Sequence, residues 1–302
     1  MRPNKHIHNL QVLPEANPVG FFMHIGKFRF HCSHISSLMA NARDNRPLTE
    51  IQWEKFYEHV NRERFTEAQI FEIKQFVLKQ SNYNPRTLIK TTKQELIKIY
   101  AWNKYKKGSV GVTENISLEK GTIAERESIS LLSEVDGIKY KKNKRLYTNE
   151  YLKGYPDIVV KKPHTKVIDV KSSLDVNSFL FNQDGGLPTE YEFQMLGYLD
   201  LTKADYGEVC FCLVNTPPEI IAQQIRITKQ KYYLYGKSDD ALENRVKFIN
   251  DSMIFDDIPA KRRIIRYRVD PNPDKMKEIY ERVIIAREWL HKFHKKHIFG
   301  KK

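Results

Sequence analysis

Two short apolar runs separated by a turn constrain the fold of this chain more than any other stretch. Residues 158–160 (Ile-Val-Val) and 167–170 (Val-Ile-Asp-Val) are rich in β-branched side chains, and the Lys-Lys-Pro-His-Thr segment between them is typical of a turn. The pattern predicts a β-hairpin. Because side chains alternate along a strand, Asp169 and Lys171 are expected on one face and their apolar neighbours on the other.

Two acids and a lysine meet at the end of this hairpin. Asp157 precedes the first run, and Asp169 and Lys171 lie in and just after the second. Carboxylates in a partly dry setting repel one another unless a cation stands between them, and Mg²⁺ commonly binds sites made of oxygen ligands. The pattern therefore predicts a divalent metal site at which Lys171 is placed to hold or deprotonate a water molecule.

Composition narrows the class of protein. No stretch approaches the roughly 20 consecutive apolar residues of a membrane span, and the N-terminus has no apolar signal core, so a cytoplasmic protein with no membrane partner is expected. Three cysteines, Cys32, Cys210 and Cys212, without a spaced partner pair argue against disulfides, zinc and an iron–sulfur cluster. A net charge of +14 is typical of a protein that approaches nucleic acid, although a solvated lysine surface produces it as well.

Periodicity and turn residues predict the order of the elements. Before the hairpin we expect a strand at 28–31 with a Ser33-capped helix to Met39, helices over 50–105 and 117–136, and a first strand near Leu146. After the hairpin we expect a loop of about 15 residues following Ser173, a helix at 190–201, a buried strand at 207–215, and basic helical structure from 220 onward. From 117 to 215 this order is helix, three strands, helix, strand. It predicts an α/β (α+β) fold with a mixed central sheet flanked by helices.

Four short segments along this order carry glycines, acids, a lysine and a glutamine–tyrosine pair in motif-like patterns. They are Lys120-Gly-Thr-Ile-Ala-Glu125, Gly154-Tyr-Pro-Asp157, Asp169-Val-Lys171 and Gln194-Met-Leu-Gly-Tyr198. Together they resemble the PD-(D/E)XK nucleases, in particular the lambda-exonuclease and RecB-like branch. The amino-acid sequence of residues 117–217 as a whole is most similar to phage-encoded nucleases. Periodicity places Glu125 and Glu127 on opposite margins of their helix and does not choose between them, whereas the resemblance favours Glu125.

The resemblance implies a restriction-endonuclease-like core with a metal site. Asp157, Asp169 and the backbone carbonyl of Val170 would bind Mg²⁺ or Mn²⁺, and Glu125 would be a ligand directly or through water. Lys171 would orient the attacking water or take its proton.

Other residues would support this site. Gln194 and Tyr198 lie four residues apart and therefore share a helix face, from which they can hydrogen-bond the metal ligands, the lysine or a phosphate. Candidate DNA contacts are Arg29, Ser33, Ser172 and Ser173.

The implied function is a metal-dependent DNA nuclease. An exonuclease acting on double-stranded DNA ends in phage recombination or replication, in the host cytoplasm, is the leading hypothesis. An endonuclease for structured or single-stranded DNA is the enzymatic alternative, and a catalytically inert DNA-binding protein on the same fold is the third. A single-strand annealing protein is a candidate partner, and an oligomer is compatible with the sequence. Residues 1–115 are expected to form a mostly helical region, 116–217 the nuclease core, and 218–302 a basic, mainly helical region.

Overall fold

A computed structural model describes residues 25–40, 47–84, 86–106, 116–235 and 238–298. The strands within these ranges are β1 Phe30–His31, β2 Tyr147–Thr148, β3 Leu152–Gly154, β4 Ile158–Val160, β5 Lys166–Ser172, β6 Tyr206–Cys212 and β7 Ile264–Val269. The helices are α1 Ile35–Met39, α2 Glu50–Val60, α3 Glu67–Asn82, α4 Lys90–Tyr105, α5 Ile116–Ile123, α6 Glu125–Asp136, α7 Val176–Asp184, α8 Thr189–Thr202, α9 Pro218–Leu234, α10 Asp239–Asp251 and α11 Pro273–Ile298. None of these helices is both long enough and apolar enough to cross a bilayer.

Contacts divide the chain into two compact units. The first comprises Met1–Phe28, Asn41–Ser109 and Ile284–Lys302, and the second comprises Arg29–Ala40 and Val110–Val283. All the strands named above lie in the second unit. The boundary predicted between residues 115 and 116 adjoins the stretch 107–115, which lies outside the described residues.

The first unit is helical. Helices α2 and α3 begin with capping boxes at Thr49 and Thr66. Each threonine side chain accepts a hydrogen bond from the backbone N–H of the glutamine three residues later, and the side chain of that glutamine accepts one from the threonine backbone N–H. Glu72 of α3 joins the two helices by accepting from Lys55 and lying 2.9 Å from His59 Nε2. Within the same unit, the Tyr100 hydroxyl of α4 lies 2.8 Å from His294 Nδ1 near the end of α11.

The second unit is built on a mixed sheet of order β4-β5-β6-β7. β4 pairs antiparallel with β5 in the register Ile158↔Ile168, β5 runs parallel to β6, and β7 returns antiparallel to β6. The predicted hairpin and mixed central sheet are therefore confirmed.

Side-chain alternation along β5 separates the core from the polar face. Ile168 and Val170 pack with Cys210 and Cys212 of β6 and with the apolar side of α6 in one buried cluster. The intervening residues of β5 point to the opposite face, where α8 packs. This alternation carries Asp169 and Lys171 toward α8, as the period of two predicts.

A smaller sheet, of order β1-β3-β2, lies before the hairpin. Two glycines allow close approach beside it. A Cβ at Gly154 would lie 2.6 Å from Tyr198 Cε1, and a Cβ at Gly197 would lie 2.6 Å from Ile35 Cδ1 and 2.8 Å from Cys32 Sγ. Only glycine leaves room for these contacts, so both positions help to hold α8 against β3 and the turn that follows β1.

Two local predictions near the hairpin need correction. The loop expected after Ser173 contains helix α7, which begins with a capping box between Asp175 and Ser178. Its polar and glycine residues masked the short apolar repeat. The strand expected near Leu146 is present as β2, but it pairs with β3 in the small sheet, with Tyr147 opposite Gly154.

Three further predictions need correction in the second unit, two of them only in part. Ser33 does not cap a helix: a 3₁₀ turn, Cys32–His34, precedes α1, and no side chain caps either element. The helix expected over 117–136 breaks at Ala124 into α5 and α6. The expectation of helices from 220 onward missed β7, because Arg266 and Arg268 obscure the alternation of polar and apolar side chains along this strand. The charge of Arg266 is neutralised by Asp136 and Glu208, which are distant in sequence.

Candidate active site

The carboxylate of Asp157 is fixed by the backbone of the neighbouring strand. Asp157 directly precedes β4, and the pairing of Ile158 with Ile168 places it opposite Asp169. Its Oδ2 accepts a hydrogen bond from the Val170 backbone N–H at 2.7 Å. Strand pairing, not side-chain packing alone, therefore holds the two acids together.

Asp169 is the most buried acid of the site, at 2% exposure. Burial raises its pKa to about 6, with Lys171 acting in the opposite direction and the negative charge of Asp157 adding to the rise. Lys171 Nζ lies 2.8 Å from Asp169 Oδ2. The carboxylate is thus held in an environment that favours either a proton or a neighbouring cation.

Three groups surround the ammonium of Lys171. Besides Asp169, Gln194 Oε1 lies 3.3 Å from Nζ, and the Tyr191 ring centroid lies 4.7 Å from it. Gln194 in turn donates through Nε2 to the Tyr198 hydroxyl at 2.9 Å. Burial lowers the pKa of Lys171, but the charges of the neighbouring acids outweigh burial and raise the pKa above its ordinary value. Lys171 is therefore an oriented cation.

Sequence reasoning missed Tyr191. It lies three residues before Gln194 in α8, so the two side chains share a helix face that the sequence already assigned to the site. A tyrosine ring facing an ammonium stabilises the positive charge through a cation–π contact. The spacing was the available signal.

Lys142, also missed, joins Glu125 to Asp157. Its Nζ contacts Glu125 Oε1 and lies 2.8 Å from Asp157 Oδ1. Burial lowers the pKa of Lys142, but hydrogen bonds and charge from the two acids outweigh burial and raise it. Lys142 belongs to the run Lys-Tyr-Lys-Lys-Asn-Lys-Arg, in which nothing local distinguishes it from its basic neighbours.

The two glutamates left open by periodicity differ in their surroundings. Glu125 shares Lys142 with Asp157. The charge of Glu127 acts on Lys120, where burial lowers the lysine pKa to about 8 against the opposing effects of Asp175 and Glu127. The structure thus brings Glu125, rather than Glu127, to the hairpin.

The donor set of this site fits a hard divalent cation. In the arrangement described, no three His, Cys, Asp or Glu side chains of the described ranges lie close enough to hold one ion, and lysine ammonium groups neutralise the acids instead. Asp169 Oδ2 and Glu125 Oε1 are buried and accept no hydrogen bond of good geometry, although an ammonium lies beside each. Such buried carboxylate oxygens are suited to a cation.

The predicted DNA contacts occupy two places. Ser172 Oγ lies 2.8 Å from Ser128 Oγ of α6, and the Ser173 N–H donates to the Cys212 carbonyl at 2.8 Å, so α6 and β6 hold both serines at the end of β5. Arg29 and Ser33 are exposed on either side of β1. Among the described contacts, neither of these two residues bonds to the acids or the lysine of the hairpin.

A groove of about 780 Å³ opens beside Glu125 and Lys142, between α6 and the segment 139–144. Its other basic lining residues are Arg126, Lys139, Lys141 and Lys144. Positive charge is therefore concentrated next to the acids, as expected where a polyanion approaches.

The mixed sheet of order β4-β5-β6-β7, with α6 and α8 packed against it, forms a fold that solved exonuclease structures share. The chain is similar to the crystal structure of a phage-related exonuclease from Haemophilus somnus 129PT, with a TM-score of 0.62, 19% identity and coverage of 90% of this chain and 97% of that one. It is also similar to an alkaline exonuclease from Laribacter hongkongensis (TM-score 0.52, 10% identity, 93% and 97% coverage) and to a structure of that exonuclease in complex with dAMP (0.51, 11%, 94% and 99%). No family model and no curated protein matches the sequence. At these identities the likeness shows the fold.

Proposed function

We propose that this protein is a metal-dependent deoxyribonuclease, and that it acts as an exonuclease on double-stranded DNA ends. The observation that carries the proposal is the convergence of Asp157, Asp169 and Lys171 at one end of the β4–β5 hairpin, with Gln194 beside the lysine. A helix packing on a sheet does not require an acid at 2% exposure, so the arrangement is better explained by chemistry than by folding.

The acids are proposed to hold Mg²⁺ or Mn²⁺. Asp157 and Asp169 would be ligands, with Glu125 directly or through water. The Val170 carbonyl is a further candidate, because the N–H of the same residue already points to Asp157 and both groups of a residue face the same side of a strand. When bound, such an ion polarises the scissile phosphate and lowers the pKa of its water.

The side chains of α8 would orient the reaction. Lys171 is protonated in this environment, so it is suited to holding the attacking water or a phosphate oxygen by hydrogen bonding and to stabilising the negative charge that develops. Gln194 and Tyr191 restrict the direction in which its ammonium points. Tyr198 fixes the Gln194 amide from the other end.

Two observations favour an exonuclease. The solved structures compared above are named exonucleases, and one was solved with dAMP, a deoxynucleoside monophosphate of the kind that stepwise digestion releases. The similarity to a phage-related exonuclease structure and the phage-like sequence of residues 117–217 favour a role in phage recombination or replication in the host cytoplasm. A single-strand annealing protein would be a suitable partner in that role.

The experiment compares wild type with Asp169→Asn and Lys171→Ala on linear and covalently closed duplex DNA in the presence of Mg²⁺. We expect the wild type to degrade linear DNA only, and each variant to lose at least about 100-fold in rate, as removal of a group that stabilises the transition state typically does. Asp251→Asn and Lys161→Ala change the same residue types at exposed positions and should retain the wild-type rate.

The other outcomes separate the alternatives. Cutting of closed circles would identify an endonuclease, and binding without cleavage in both Mg²⁺ and Mn²⁺ would identify an inert DNA-binding protein. Equal degradation by wild type, Asp169→Asn and Lys171→Ala would show that the proposed site is wrong.

A further inference from the structure

Lys142 occupies a position that has the chemical character of a cation site. Its ammonium touches carboxylate oxygens from two separate elements, Glu125 at the start of α6 and Asp157 before β4. These acids are 32 residues apart in the chain and meet through this single ammonium. Without it, two half-buried carboxylates would face each other directly.

The charges of the cluster indicate what this ammonium does. Glu125, Asp157 and Asp169 carry three formal negative charges, and Lys142 and Lys171 carry two positive ones. If a divalent ion enters while both lysines stay, the cluster becomes positive. If the ion replaces Lys142, the cluster becomes neutral, which is the least costly state for a buried group of charges.

The side chain of Lys142 has room to leave. It is 39% exposed, whereas the side chain of Lys171 is 24% exposed and is held by Asp169, Gln194 and Tyr191. Lys142 also lines the basic groove described above, so its released ammonium would enter a solvent-filled space. Of the two lysines, Lys142 is therefore the one that an ion can displace.

We propose that Lys142 is an internal counter-cation for the metal-free site, which bridges Glu125 and Asp157 and is displaced when a divalent ion binds. The inference rests on the proposed metal site. In its displaced position the ammonium would face the groove, where a DNA phosphate is the matching partner.

The test measures Mn²⁺ binding to the full-length protein without DNA, from the electron paramagnetic resonance signal of free Mn²⁺. Lys142→Met removes the competing ammonium and keeps the length of the side chain. An exposed carboxylate gains little from a counter-cation, whereas a buried one without a counter-cation is strongly destabilised. These two pairs are intermediate in burial, so we expect binding about tenfold tighter than in wild type. Melting without metal should occur at a lower temperature than in wild type, and the rise on adding Mn²⁺ should be larger.

Lys141→Met is the matched control. It removes the same charge from an exposed lysine of the same groove, and solvent screening should keep its Mn²⁺ affinity within about twofold of wild type. If Lys142→Met binds Mn²⁺ no more tightly than Lys141→Met, the inference is overturned.

Asp169→Asn separates this inference from the proposed function. If wild type binds Mn²⁺, Asp169→Asn binds it much more weakly and Lys142→Met is unchanged, only the role of Lys142 fails. If wild type and Asp169→Asn bind equally, or neither binds, the metal site itself is wrong and the role of Lys142 falls with it.

Discussion

A chain of hydrogen bonds from Tyr198 through Gln194 to Lys171 predicts that these residues act as a unit. The Gln194 amide donates to the Tyr198 hydroxyl at 2.9 Å and presents its oxygen to the Lys171 ammonium at 3.3 Å. Tyr198 is 6% exposed, and burial, its largest influence, raises its pKa, so the hydroxyl is neutral. Tyr198→Phe should release the amide without opening a cavity.

The magnitudes follow from the type of each bond. A neutral buried hydrogen bond contributes ~1 kcal/mol, so Tyr198→Phe should lower kcat/KM about fivefold. Gln194→Ala also removes the contact to a charged group, and a loss of ~2 kcal/mol corresponds to about 30-fold. Because Tyr198 acts only through Gln194, the double variant should be no slower than Gln194→Ala alone.

Digestion of an end-labelled linear duplex under single-turnover conditions measures these rates, and urea unfolding measures stability in parallel. Tyr280→Phe is the control, because it removes a hydroxyl that bonds Asp200 and Asn149 in the same unit. It should reduce stability and leave the rate unchanged. Losses that add fully in the double variant, or a Tyr198→Phe protein that loses stability only, would refute the coupling.

Two further predictions concern stability. Gly197→Ala would place a Cβ 2.6 Å from Ile35 Cδ1 and should lower the free energy of unfolding in urea by ~1–3 kcal/mol. Gly121→Ala is the control, because a Cβ there meets nothing within 4 Å and should not destabilise the protein. Equal effects of the two substitutions would contradict the close approach at Gly197. For Lys120, burial lowers the pKa in the folded state to about 8 from 10.5. Between these two pH values the unfolded chain binds more protons than the folded one, so the free energy of unfolding should rise with pH, by ~1 kcal/mol from pH 7 to pH 9. Lys120→Met should lack this increment, and parallel stability curves for the two proteins over that range would contradict it.

The residues of the hairpin could be predicted because their pattern is local. Two β-branched runs joined by a turn form adjacent strands, and the period of two then places Asp169 and Lys171 on one face. Spacing within one helix likewise predicted that Gln194 and Tyr198 share a face, and their side chains are hydrogen-bonded. The mixed sheet followed from the order of the elements.

Elements that depend on distant partners could not be predicted in the same way. β7 carries two arginines, and Arg266 is accommodated in the sheet because Asp136, 130 residues earlier, pairs with both terminal nitrogens of its guanidinium. Helix α7 begins with a capping box between Asp175 and Ser178, within a polar stretch of the sequence. Local periodicity contains no information about such compensation.

The sequence by itself determined which chemical groups meet at the hairpin, two acids and a lysine with a glutamine on a neighbouring helix, because strand and helix periods are set by backbone geometry. The resemblance favoured Glu125 over Glu127, and the tertiary structure shows that Glu125 shares Lys142 with Asp157. Only the tertiary structure decided that Tyr191 lies over Lys171 and that one lysine of a basic run bridges two acids. These contacts join elements far apart in the chain, and their geometry is set by packing between the sheet and its two flanking helices.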